Sequence, residues 1–106
     1  MDYKELDIWK SSIELAKLVY HFTRRLPSNE EYGISHQMRR AAVSIPSNIA
    51  EGIGRNTSKE TIQFLFIARG SIFELETQLI LCKEIFKVDT NKNMMLFIKS
   101  YKTAKC

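Results

Sequence analysis

TIQFLFIARGSIFELETQLILCKEIF, residues Thr61 to Phe86, decides the fold. Within it Thr61, Leu65, Ala68, Ile72, Leu75, Leu79, Cys82 and Phe86 follow one another at steps of three or four. Side chains so spaced share one face of an α-helix, and such a face is the seam of a helical bundle. Thr57 followed by Glu60 fits a capping box just before the seam. A helix is predicted from there to about Phe86, about 30 residues or roughly 45 Å. In a chain of 106 residues a helix that long lies side by side with others.

The same helix carries more apolar residues than one seam needs. Ile62, Phe73 and Ile80 form a second row, and Ile67, Leu81 and Ile85 lie on the side that should be wetter. A helix apolar nearly all round has a second packing surface. Arg69 and Glu76, seven apart, point the same way between the seam and the second row, so they must be paired or reach an edge. Gly70-Ser71 in mid-helix suggests that something approaches closely there. Self-association accounts for these features together.

Working outward, helical spacing recurs along the chain and strand-like alternation is weak. The first helix is predicted over about Leu6 to Arg25, with Ile8, Leu15, Val19, Phe22 and Leu26 on one side. LPSNEEYG breaks the pattern: Ser28 with Glu31 suits the cap of a short turn, and Gly33 its end. Ser35 is the expected N-cap of a second helix over about His36 to Ile53. VDTNKN makes the next break, and Met94 to Tyr101 reads as a short fourth helix with Met95, Ile98 and Lys102 at helical spacing and Met94, Phe97 and Tyr101 alongside. The reading is one domain, residues 1–106, all-α: an up-and-down four-helix bundle with a short or incomplete fourth helix. A three-helix core with a loose C-terminal helix is the alternative.

The second helix contains AAVSIPSNIAEGIGR, residues Ala41 to Arg55. Gln37, Arg40, Ser44, Asn48, Glu51 and Arg55 make one polar stripe along it. The apolar arc opposite spans about 200°, wider than one facing helix requires. Such a helix is either central in its own bundle or also meets another subunit. Pro46 lacks the N–H owed to the Ala42 carbonyl, so the helix should bend or break there. EGIGR is no phosphate loop: it follows a helix, and neither the P-loop pattern nor a third glycine is present. Gly52 and Gly54 more simply allow close packing, a left-handed residue and an abrupt exit.

Composition narrows the function. Apolar residues make up 44% and charged residues 26%, ordinary for a globular protein. Cys82 sits in an apolar helical run and Cys106 ends the sequence, which is no disulfide scaffold. No run resembles a membrane span, and MDYKELDIWK lacks the features of a signal peptide, so the cytoplasm is expected. His21 and His36 have no partner at a metal-ligand spacing, and no metal or cofactor is implied. Glu51, Glu74 and Glu76 could in principle meet as general acids or bases, and nearby arginines explain them more cheaply as ion pairs. Ser44 has no visible base to activate it. No catalytic residue is assigned.

The formal net charge is +4, unevenly distributed. Lys83 to Lys105 holds six lysines against Glu84 and Asp89, and Arg39 to Arg69 holds five basic residues against Glu51 and Glu60. Arg39, Arg40, Arg55, Lys59 and the lysines of the last segment are the candidates for nucleic-acid contact, Arg39, Arg55 and Lys59 foremost, acting by charge rather than by reading bases. Repetition around a closed ring of identical bundles would concentrate that charge.

The run Gln37-Met38-Arg39-Arg40-Ala41-Ala42-Val43-Ser44-Ile45-Pro46-Ser47-Asn48-Ile49-Ala50-Glu51-Gly52, followed by Gly54-Arg55, resembles the signature of a four-helix-bundle family often encoded in intervening sequences of bacterial 23S ribosomal RNA genes. Leu6-Asp7-Ile8-Trp9, Phe64-Leu65, Ile67 to Ser71 and Glu74 to Leu79 match it too, so the resemblance covers nearly the whole chain. It implies an up-down bundle assembled as a homopentameric barrel, without cofactor or established enzymatic activity. Accessory proteins of diversity-generating retroelements are similar in fold and bind nucleic acid and a reverse transcriptase through a basic surface. Arg40, Ser44, Asn48, Glu51, Gly70, Glu74 and Glu76 stand at motif positions, and with Arg69 they are read as a structural polar set that builds the oligomer. The expectation is a non-enzymatic homo-oligomer associating with RNA or DNA or a nucleoprotein partner. A purely structural or protein-interaction oligomer is the alternative.

Overall fold

The computed structural model describes residues 2–90 and 92–103. Four helices make the fold: α1 (Asp7–Thr23), α2 (Ile34–Ile53), α3 (Ser58–Phe86) and α4 (Lys92–Thr103). Single 3-10 turns precede α1 at Tyr3–Glu5 and α2 at Ser28–Glu30. No strand occurs among the described residues. α2 packs between α1 and α3, and α4 closes the square against α1 and α3. The molecule is 43 Å long, matching the about 44 Å expected of the 29-residue α3.

The predicted seam is the core of α3. Ala68, Ile72, Leu75, Leu79 and Cys82 are buried, while Thr61, Leu65 and Phe86 lie at its half-buried ends. They meet Leu15, Val19 and Phe22 of α1, Met38, Ala42, Ile45 and Ile49 of α2, and Met94 and Ile98 of α4. The Thr57 hydroxyl accepts from the Glu60 N–H at 3.2 Å, so the predicted cap is present. α3 ends at Lys87, whose φ of 57° is left-handed. The left-handed residue expected at the glycines is thus at Lys87. Gly54 has φ −79°, and no glycine is left-handed among the described residues.

Three further expectations change. Ser35 does not cap α2: the helix begins at Ile34, two residues before the expected His36, Gly33 is its N-cap, and Ser35 is buried inside it. The turn before α2 sets this start, since the Gly33 N–H bonds to the Glu30 carbonyl and the Gly33 carbonyl accepts from Gln37. Ser28 opens that turn without a side-chain cap. Of the bend or break expected at Pro46, the break is absent: α2 runs unbroken through it. Packing against helices on two sides holds the backbone helical there, and those two neighbours also explain the broad apolar arc.

The fourth helix is no loose appendage. Met94, Ile98 and Tyr101 are buried in the core and Met95 and Phe97 pack partly against it, while the Lys102 side chain of the expected row lies outside what the structure describes. The Tyr101 hydroxyl donates to the Ile8 carbonyl at 2.8 Å and meets the Ser11 hydroxyl at 2.6 Å, tying α4 to the start of α1. α4 is nonetheless short, about 18 Å against α3. Cys106 lies outside the described residues; burial pushes the Cys82 thiol up, as suits a small core residue.

Candidate functional site

The polar stripe of α2 meets α3 at its middle. The Asn48 amide donates to the Ser44 carbonyl at 2.8 Å and to the Ser44 hydroxyl at 2.9 Å. The Ser71 hydroxyl donates to that same Ser44 oxygen from α3 at 2.8 Å. Ser44, Asn48 and Ser71 are half-buried and bonded to one another, and the Ser71 hydroxyl also lies 3.3 Å from the Ile67 carbonyl of its own helix. These residues build the α2–α3 contact.

The end of the stripe is also structural. Arg55 pairs with Glu51 at 3.3 Å and lies 4.7 Å from the Phe64 ring centre. The Thr61 hydroxyl donates to the Gly52 carbonyl at 2.7 Å. A Cβ on Gly52 would sit 3.0 Å from Phe64 Cβ and 3.1 Å from the Thr61 carbonyl oxygen. Gly52 is there because the two helices touch backbone to backbone.

The candidate nucleic-acid residues are not brought together. Arg39 is half-buried at the start of α2. Its guanidinium donates to Glu31 at 2.6 Å and to the Thr23 hydroxyl at 3.0 Å, beside the Tyr20 ring. That hydrogen bond and charge hold the Glu31 carboxyl below its ordinary value. Arg39 therefore clamps α2 to α1 and to the turn between them. Arg55 and Lys59 lie at the other end, about 21 Å of helix away. Lys59 is exposed in the first turn of α3, and Arg40 is exposed on the stripe beside an open depression bordered by His36 and Ser44.

The carboxylates are apart as well. Glu51 is at the α2 terminus opposite Thr61, whereas Glu74 lies about 20 Å further along α3. Glu74 is exposed and Glu76 half-buried. Arg69 reaches solvent at the edge, with its guanidinium 5.4 Å from the Phe73 ring centre.

What the sequence pattern does not reveal is a cleft. Where α4 ends, Ile8, Ile53, Leu65, Ile72 and Tyr101 line an almost wholly apolar hollow of about 300 Å³ with Arg69 on its rim. Ile8, expected in the core, is 36% exposed there. The only hint of this was that the predicted α4 is far shorter than α3. Beside the cleft, Ile62, Phe66, Phe73 and Ile80 are 39% to 55% exposed along the outside of α3. Gly70 has no atom within 4 Å of where its Cβ would be, so nothing within this chain makes the close approach expected at Gly70-Ser71 except the Ser44 contact.

These features can be placed beside known proteins. The sequence profile of the 23S rRNA-intervening sequence proteins matches residues 4–105. The chain belongs to that family. No curated protein matches it. Membership of the 23S rRNA-intervening sequence proteins agrees with the all-helical, four-helix architecture. No helix among the described residues is long and apolar enough to cross a membrane.

Proposed function

We propose that this family member works as a non-enzymatic homo-oligomer, homopentameric as its resemblance implies, that associates with RNA, DNA or a nucleoprotein partner in the cytoplasm. The observation that carries the reading is the outer face of α3. Ile62, Phe66, Phe73 and Ile80 each leave roughly half their side chain in water after the core is complete. Burying such remainders is worth about 1 kcal/mol each. A neighbouring subunit supplies that burial and relieves the small core of a short chain.

Arg40, Arg55 and Lys59 of α2 and α3 and the exposed Lys83, Lys87, Lys92 and Lys99 offer phosphate contact, with a reverse transcriptase as the kind of partner the resemblance implies. The pairing of Arg39 with Glu31 and of Arg55 with Glu51 favours the second reading, an oligomer with no specific affinity for nucleic acid. One experiment separates them. The assembled protein is titrated into labelled RNA and DNA at low and at physiological salt, beside Arg40→Glu/Lys59→Glu. Salt-sensitive binding weakened by the double reversal supports the first reading. No binding at low salt removes it and leaves the second.

A further inference from the structure

We propose that the two flanks of α3 are the complementary halves of one head-to-tail contact between copies of this chain, closed by an ion pair between Arg69 of one copy and Glu74 of the next. This rests on the self-association proposed above and adds to its outer-face surface the two flanks on either side of it.

One flank is concave. It is the apolar cleft lined by Ile8, Ile53, Leu65, Ile72 and Tyr101, and Arg69 stands on its rim. The other flank lies about 140° round the helix and is convex. There Ile67, Leu81 and Ile85 stand 43% to 61% exposed, with Glu74 between them. Arg69 and Glu74 enter none of the ion pairs found among the described residues. So a hollow with a cation and a ridge with an anion occur on opposite sides of one helix.

That arrangement selects the occupant. A foreign partner needs one flank, whereas this chain carries both shapes and both charges. A two-fold contact of the cleft with itself would set Arg69 near Arg69 and leave the ridge in water. A head-to-tail contact buries both flanks in every copy, and it closes into a ring when the rotation allows. Ring closure permits no net shift along the axis. The about 7.5 Å of helix rise between residues 69 and 74 is within the combined reach of an arginine and a glutamate. Gly70, with no atom of its own chain near its Cβ position, leaves room on the face between the flanks.

Arg40 is the intramolecular rival for Glu74, because Ser44, one turn from Arg40, bonds Ser71, three residues before Glu74. The test is sedimentation equilibrium over a concentration series for wild type, Arg69→Glu, Glu74→Arg, the Arg69→Glu/Glu74→Arg swap, and Arg40→Glu/Glu74→Arg. Circular dichroism confirms that each variant folds. Each single reversal is expected to weaken assembly by about tenfold or more, since it sets like charges together in a contact. The swap is expected to restore assembly, and the Arg40 combination is not. An assembly larger than a dimer that ignores both reversals, or that the swap does not restore, overturns the pairing alone. A wild type that stops at a dimer overturns the head-to-tail geometry. A monomeric wild type overturns the self-association beneath it as well.

Discussion

The hydroxyl oxygens of Ser44 and Ser71 lie 2.8 Å apart across the α2–α3 contact. Ser44 also accepts from Asn48, so one oxygen on α2 joins two turns of its own helix to the neighbouring helix. Removing Ser71's hydroxyl deletes the bond that Ser44 accepts from α3 and leaves Ser44 its Asn48 bond. Ser71→Ala is expected to lower unfolding free energy by about 1 kcal/mol. Asn48→Ala should cost a similar amount, and the two losses should not add, because they share an acceptor. Urea unfolding of the single and double variants measures this.

Two glycines of the motif should respond in opposite directions. Gly52→Ala drives a Cβ against the Phe64 Cβ and the Thr61 carbonyl, and Thr61's bond to the Gly52 carbonyl stretches as the helices part. A loss of about 1–3 kcal/mol is expected. Gly70→Ala meets nothing in its own chain and sits in mid-helix. Chain stability should rise by about 0.5–1 kcal/mol. Thermal unfolding of both variants under conditions that dissociate any assembly checks the signs.

Arg39 makes the junction of α1 and α2 sensitive to acid. Its hydrogen bond and charge hold the folded Glu31 pKa below the ordinary 4.5. As pH falls, the unfolded chain takes up this proton first, so the stabilisation is present above 4.5 and is lost as pH drops through the folded value. Glu31→Gln should therefore lower the melting temperature at neutral pH and leave it unchanged in strong acid. Arg39→Ala should lower it at both, because the Thr23 bond and the Tyr20 contact are lost too. Melting curves across pH for the two variants test the assignment.

Lys87 holds a left-handed conformation at the α3 C-cap, where its N–H bonds to the Lys83 carbonyl. Glycine adopts that conformation without a Cβ clash. Lys87→Gly is expected to raise stability by up to about 1 kcal/mol, read from denaturant midpoints.

Much of this architecture follows from patterning that short-range sequence carries. The α3 seam, the Thr57 cap and the α2 polar stripe are each set by spacing along one helix, and each appears where that spacing puts it. The misjudged features depend on tertiary context. Ser35 has the chemistry of a cap, yet the turn at Ser28–Glu30 starts α2 before it. Of the bend or break that Pro46's chemistry allows, helices packed on both sides exclude the break and keep α2 continuous. The basic residues were legible as charge but not as surface. Whether Arg39 faces solvent depends on Glu31 and Thr23, and the Thr23 partner lies 16 residues away. The apolar cleft is least legible, because it is made by four helices and by the length of one of them.

The central claim is that the outer face of α3 is an interface between copies. Native mass spectrometry at micromolar concentration of wild type beside Phe66→Glu/Ile80→Glu tests it most directly. Both substituted residues are more than half exposed in the single chain, so the bundle itself should fold unchanged. The account predicts a homo-oligomer larger than a dimer for wild type, and a folded 12.3 kDa monomer for the variant. A wild type that remains a 12.3 kDa monomer, or a variant that assembles as fully as wild type, would contradict it.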